Sequence, residues 1–387
     1  LIVQDWNYWP QGWGYIKMDP RYYPDLKHLT DTIHAMNAKL MVSIWPNPSN
    51  CPQADDFREK GYLLESELAY DAFSQKARDY YWQYVDREFF QNGFDAWWCD
   101  CTEPVDADWA VMPEGYGWDS HEERWQRNTQ LLNETLGAER ANLYSLYHSK
   151  GIYENQRNTS AEKRVANLTR SSYAGQQRYS TITWNGDTYA SWQSFARQIP
   201  AGLNFMATGC PYWTVDAGAF FTRKSSQWFW DGDFPQGVSD LGYREFYTRM
   251  LQYATFLPLM RSHGTGTPRE IWRFGKEGEP FYEAIASSIR LRYQLLPYIY
   301  SLAGQVTQKD YTPARLLAFD FPHDPKVFDL KDEYMFGPAL LVCPVTEPMY
   351  YGPGSQALEN TWKSRQVYLP AGRQWIDFWT GAKHEGG

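Results

Sequence analysis

Short apolar runs alternate with longer stretches of helical periodicity through the first 308 residues. The runs cover 1–4, 39–45, 95–100, 165–170, 181–184, 210–216 and 256–263. Runs of this length, separated by helix-length segments, predict parallel strands joined by crossover helices. The segment 25–37 puts Leu26, Leu29, Ile33 and Met36 on one helical face. Segment 74–90 does the same with Ala77, Tyr81, Tyr84 and Phe89, with charges between them. A helix over 121–136 follows the capping residues Asp119 and Ser120, and a long mixed helix over 280–304 ends the repeat. Beyond residue 308 the texture changes. Candidate strands at 316–321, 339–345 and 367–369 sit among Pro and Gly turns, which predicts a small antiparallel β domain.

The fold class is therefore α/β: a (β/α)8 TIM barrel over 1–308, followed by a small antiparallel β domain over 309–387. Seven strand candidates are one short of the eight that close such a barrel. The chain opens inside an apolar run, so the first strand is expected to precede Leu1, and the β domain is expected to continue past Gly387. An open doubly wound sheet would carry a phosphate-binding glycine loop after its first strand, and Gln4-Asp5-Trp6-Asn7 is not one.

Composition narrows the function. A net charge of −9 leaves no electrostatic footprint for nucleic acid. Every hydrophobic stretch is interrupted before membrane-spanning length. The reading is a large soluble globular protein, with homo-oligomerisation left open. Aromatic residues make up 18% of the chain, enough flat amphipathic surface for a large core or for a site that stacks on apolar ligand faces. Five cysteines without paired spacing argue against a disulfide framework, and Cys99 and Cys101 read as buried thiols. The seven histidines are scattered with no His-x-x-x-His, so no metal is expected.

Nearly every strand candidate ends on a polar side chain: Asp5, Asp100, Arg170, Asp216 and His263, with Trp184 and Asp187 after the fifth. In an α/β barrel such ends share one face. Any one Asp is as readily a helix cap, but together these residues point to a site. Asp100 lies at the mouth of the aromatic strand Ala96-Trp97-Trp98-Cys99, and Asp187 follows Gly186 in a turn. Two carboxyls, one ionised and one protonated, are what hydrolysis of a glycosidic bond needs. A separation of about 5–5.5 Å retains configuration, and about 6.5–9.5 Å inverts it. Trp45 and Trp98 alternate into the barrel, where they can stack on sugar faces, whereas Trp97 points away into packing.

The motifs resemble glycoside hydrolase family 31, the retaining α-glucosidases and α-xylosidases. Trp98-Cys99-Asp100-Cys101-Thr102-Glu103-Pro104 is similar to that family's nucleophile signature. Arg170 to Tyr179, followed by Trp184-Asn185-Gly186-Asp187, resembles its acid/base segment. Val3-Gln4-Asp5-Trp6, Val215-Asp216-Ala217-Gly218-Ala219-Phe220 and Met260-Arg261-Ser262-His263 resemble three further motifs, in the family's order.

The resemblance implies Asp100 as nucleophile and Asp187 as general acid, then base, in an environment that raises its pKa. It also implies Asp5, Arg170, Trp184, Asp216 and His263 as the lining of the −1 sugar pocket, with Arg170 able to keep Asp100 ionised. Trp109, Tyr116 and Trp118 are candidates for the +1 subsite. The expected activity is exo-acting release of a terminal α-linked sugar from an oligosaccharide. Hydrolysis of a glycosidic bond, needing only acid, nucleophile and water, implies no cofactor. The preference is for α-xylose, because the aromatic residues after the early strands crowd the space a C6 hydroxymethyl needs. Alternatives are an α-glucosidase, an α-glucan lyase or transglycosylase on the same site, and a catalytically silent carbohydrate-binding barrel.

Overall fold

The apolar runs at the start of the chain become strands that pair side by side in the order of the sequence. The computed structural model describes residues 1–104, 121–225 and 230–387, and divides into two units, Leu1–Trp184 and Asn185–Gly387. In the first unit, β1 (Ile2–Gln4), β2 (Leu40–Ile44), β3 (Ala96–Cys99), β4 (Asn167–Thr169) and β5 (Thr181–Trp184) are parallel throughout. Every residue of β2, β3 and β4 is buried, as in strands covered on both faces.

Helices α1 (Leu26–Ala35), α2 (Pro52–Glu59), α3 (Gln75–Val85), α4 (His121–Leu136) and α5 (Tyr144–Thr159) connect these strands. Helix α1 starts where the Asp25 side chain accepts the His28 N–H at 2.8 Å. Its inward face is Leu26, Leu29, Thr30 and Ile33. Met36, expected on that face, instead follows the last helical residue and is exposed. The helix expected over 74–90 stops at Val85 and continues as a π turn, Asp86–Phe90. Phe89, expected on the buried face, lies in that turn and is fully buried. On β3, Trp97 packs among Trp82 and Phe90 and donates its indole N–H to Gln156 at 2.8 Å.

The second unit contains α6 (Trp192–Ala207), β6 (Trp213–Thr214), an antiparallel pair β7 (Arg223–Ser225) and β8 (Trp230–Asp233), and α7 (Leu241–Thr255). The strand expected over 210–216 is only two residues long. No strand forms over 256–263, where only Ser262 bridges to Ala217. Pro211 and Pro258 lack the N–H that a continuous ladder needs. The long helix expected over 280–304 is two, α8 (Pro280–Gln294) and α9 (Leu296–Lys309). Pro297 has no N–H to extend the first helix and is well placed in the first turn of the second.

Three antiparallel strands follow in the order β11–β10–β9: β9 (Ala314–Leu316), β10 (Tyr334–Phe336) and β11 (Leu340–Val342). The sequence reading errs twice here. Leu317–Asp320 is a short helix rather than a strand. Residues 367–369 form no strand, because side chains satisfy their polar groups. The Tyr368 N–H goes to Glu333 at 2.8 Å and its hydroxyl to Asp324 at 2.7 Å. Buried Glu245 on α7 accepts the N–H groups of Met349, Tyr350 and Tyr351 at 2.8–2.9 Å, and buried Asp240 accepts those of Gly354 and Ser355. Two carboxylates thereby hold a seven-residue segment whose own ladder is only the two-residue pairing of Tyr351–Gly352 with Gln356–Ala357. Among the described residues, no helix is long and apolar enough to cross a membrane.

Asp95, just before β3, is a further ion-pairing centre. It accepts the Leu40 N–H at 2.9 Å and faces His34 at 2.7 Å, Lys163 at 3.2 Å and Lys39 at 3.5 Å. Burial pushes its carboxyl up, but the Leu40 N–H, His34 and Lys163 outweigh this and hold it below the usual value. A depressed carboxyl stabilises the fold above the unfolded value near 4 and loses that contribution as pH falls through the folded value. Asp95→Asn is expected to cost about 1–3 kcal/mol at pH 7 and less below pH 4. Denaturant unfolding across that range checks it, and an equal cost at both ends would contradict it.

Candidate active site

In the first unit the site residues are set by strand register. β3 and β4 pair with Cys99 opposite Thr169, so the next residue of each strand, Asp100 and Arg170, leave the sheet side by side. Arg170 Nε lies 3.4 Å from Asp100 Oδ1, and both side chains are largely buried. Cys101 turns the chain sharply with φ of 52°, a left-handed conformation unusual for a residue with a β-carbon. That turn aims its N–H at Asp100 Oδ1, 2.8 Å away. The other end of the guanidinium is also held: Arg170 Nη2 pairs closely with Glu103 and donates to Cys101 Sγ at 3.2 Å. One cation is thus shared by two carboxylates.

Hydroxyls tie the two loops together. Thr102 Oγ1 hydrogen-bonds Thr169 Oγ1 at 2.9 Å and Ser171 Oγ at 2.8 Å, and Thr169 donates to the Ser171 carbonyl at 3.1 Å. Buried Gln176 accepts the Tyr173 N–H at 3.0 Å and donates to the Ser171 carbonyl at 3.2 Å, so the segment after Arg170 is supported on both sides.

Trp98 and Trp184 are buried and meet edge to face at 5.2 Å, a shared aromatic surface at the ends of β3 and β5. Buried Trp45, after β2, is packed by Trp6, Trp9 and Trp13 with ring centroids 5.3, 6.2 and 5.5 Å away. Asp5, after β1, is half-buried.

In the second unit, Asp187 is exposed beyond a tight turn at Gly186, whose φ is 72°. The neighbouring Asn185 donates to Gln198 on α6 at 2.7 Å, which anchors that turn. Asp216 is fully buried and ion-paired with Arg261, and Arg261 and His263 share the segment that bridges to Ala217. The turn after Asp216 needs glycine. Gly218 has φ of 89°, and a β-carbon there would lie 2.5 Å from the Tyr247 ring. Tyr247 also hydrogen-bonds Ser262 at 2.9 Å, fixing the residue before His263. Burial first, then the Arg261 and Arg269 cations, push the His263 imidazole down to about 3. It is therefore neutral at ordinary pH, able to donate one hydrogen bond and accept another.

The sequence reading missed Cys101, Thr102 and Glu103 as parts of the site, and Arg261 as the partner of Asp216. All four stand inside motifs it had singled out, but nothing in a linear pattern says which side chains meet. Trp109, Tyr116 and Trp118 lie outside the described residues. Among the described residues, no three of His, Cys, Asp and Glu gather as metal ligands would.

The model of the glycosyl hydrolases family 31 TIM-barrel domain matches residues 1–302, and that of the glycosyl hydrolase family 31 C-terminal domain matches residues 310–387. An alpha-xylosidase of Saccharolobus solfataricus is 40% identical over 389 residues, covering all of this chain and 48% of the relative. The crystal structure of a family 31 alpha-xylosidase from Xanthomonas citri superposes with a TM-score of 0.81 at 36% identity, covering all of this chain and 41% of that one. A family 31 alpha-xylosidase from a soil metagenome, complexed with xylose, gives a TM-score of 0.80 at 29% identity, with all of this chain and 55% of that one covered. The chain spans about half the length of the curated relatives it matches.

The depressed His263 value sets a pH dependence. Below about 6.5 the unfolded chain takes up a proton that the folded chain refuses until about pH 3, so His263 removes stability across that window. Unfolding free energy is expected to fall between pH 7 and pH 5, and to fall less steeply in His263→Gln. Parallel pH slopes for the two proteins would contradict the assignment.

Proposed function

Because the chain belongs to glycosyl hydrolase family 31, we propose that it is the catalytic portion of a retaining, exo-acting α-glycoside hydrolase that removes a terminal α-xylose from an oligosaccharide. The carrying observation is the Asp100 carboxylate, buried at the end of β3 and oriented by the Cys101 N–H and the Arg170 guanidinium. A carboxylate fixed in this way, with a cation to keep it ionised, has the features of a nucleophile toward an electron-poor carbon. We assign the catalytic barrel to 1–308 and the β domain to 309–387.

In the proposed reaction Asp100 attacks the anomeric carbon while Asp187, protonated, gives its proton to the departing glycosidic oxygen. The products of this step are a glycosyl–Asp100 ester and the free aglycone. Asp187, now a carboxylate, takes a proton from water. The hydroxide equivalent attacks the same carbon, and Asp100 leaves as a carboxylate. Two inversions give net retention. Asp5 and Asp216 accept sugar hydroxyl protons, and Arg170 and neutral His263 serve as donors. Trp45, Trp98 and Trp184 form the apolar walls.

Two observations favour xylose over glucose. The relatives at 40% and 36% identity are both alpha-xylosidases. Trp45 is buried and packed against three other indoles, which favours a pocket without room for a hydroxymethyl group. Discrimination by one small group is worth about 1–3 kcal/mol, so glucosides should be poor substrates rather than inert ones.

A fluorinated xylosyl fluoride that accumulates the ester is expected to add one glycosyl mass to the peptide carrying Asp100, and none in Asp100→Ala. An adduct on another residue, or no adduct, would overturn the reading. Asp187→Ala should slow hydrolysis of an alkyl xyloside by about 10²–10⁴-fold, yet spare ester formation from xylosyl fluoride, whose leaving group needs no proton. Nitrophenyl α-xyloside should be cleaved faster than the α-glucoside, and the reverse order would select the glucosidase alternative.

A further inference from the structure

The site holds a charge that this reaction leaves unexplained. Glu103 does not face a sugar through its paired oxygen. That oxygen is spent on Arg170, the cation that also touches Asp100. Its second oxygen is buried and takes no hydrogen bond among the described residues. A lone Arg–Asp pair would bind the Asp100 carboxylate well in the resting enzyme, but attack on the sugar turns that carboxylate into a neutral ester. The guanidinium, largely buried at the end of β4, would then have lost its counter-charge just as the intermediate forms.

We propose that Glu103 is a positioning residue whose constant negative charge keeps Arg170 paired through both chemical steps, which makes ester formation easier than an isolated Arg170–Asp100 pair would allow. This rests on the assignment of Asp100 as nucleophile.

Three features support it. The guanidinium is divided, with Nε toward Asp100 and Nη2 toward Glu103 and Cys101 Sγ, so it need not rotate when Asp100 changes charge. The Nε contact to Asp100, at 3.4 Å, is the looser of the two, as expected of an interaction that must weaken during the reaction. The Thr102–Thr169–Ser171 hydroxyl set fixes the two loops relative to each other, so the geometry does not depend on the Asp100 charge. In the first step the Asp100 Oδ–carbon bond forms and the glycosidic carbon–oxygen bond breaks, with the proton of Asp187 leaving on the aglycone. In the second, water's oxygen replaces Asp100 and its proton returns to Asp187. The charge of Glu103 is the same before, between and after.

The two steps respond in opposite directions when that charge is removed, which a merely structural residue would not produce. In Glu103→Gln more of the guanidinium charge turns to the resting Asp100 carboxylate and disfavours its loss. Ester formation should slow about 10–100-fold, while ester breakdown, which restores the carboxylate, should hold its rate or quicken. Glu103→Asp, with the charge kept, should recover most of the first step. The full-length enzyme is treated with the fluorinated xylosyl fluoride, and accumulation and decay of the Asp100 adduct are followed by mass spectrometry. Competition by free xylose reports whether the pocket is intact. Slowed formation with undiminished breakdown and unchanged xylose competition supports the inference. Equal slowing of both steps, no change in either, or failure of the Asp variant to recover formation overturns it. A wild-type enzyme that forms no adduct on Asp100 removes the reading beneath it, an outcome distinct from normal adduct formation in Glu103→Gln.

Discussion

Parallel pairing of neighbouring strands is the constraint from which the site in residues 1–184 follows. Once β3 and β4 run in the same direction with Cys99 beside Thr169, the next residues emerge at the same end of the sheet. Asp100 and Arg170, seventy positions apart in sequence, become neighbours. An antiparallel pair would send those two ends to opposite edges. Everything further — the left-handed turn at Cys101, the hydroxyl set around Thr102, the second carboxylate at Glu103 — refines a meeting that the ladder has already arranged.

Charge is buried here repeatedly and in different ways. Asp216 is neutralised by Arg261, whereas Asp240 and Glu245 are satisfied by backbone N–H groups and carry no local cation in the contacts described above. The amide solution suits structure, since rows of N–H groups tie down a segment with little ladder of its own. The ion-pair solution suits chemistry, because a guanidinium can exchange partners without moving. Arg170 uses that property: it touches one carboxylate whose charge must vanish and another whose charge must persist. Removing either partner of such a set leaves an expensive orphan, since charges out of water require compensation.

The order of elements was legible because hydrophobic periodicity reports burial directly. Strands β1, β2, β3 and β5 lie within the apolar runs, and helix α4 spans the predicted positions. Two of the failures come from backbone hydrogen bonding, which periodicity does not record. Residues 256–263 are apolar enough for a strand but include Pro258. Residues 367–369 look extended and apolar, yet Glu333 and Asp324 take their polar groups.

By itself the sequence determined the alternation of strand and helix, the motifs that mark family membership, and the polar residues at strand ends. These are local properties, readable as periodicity and spacing. Only the tertiary structure decided that Glu103 and Cys101 share Arg170 with Asp100, that Arg261 neutralises Asp216, and that His263 is held neutral. Charge compensation depends on distance and desolvation, and neither quantity exists until the chain has folded.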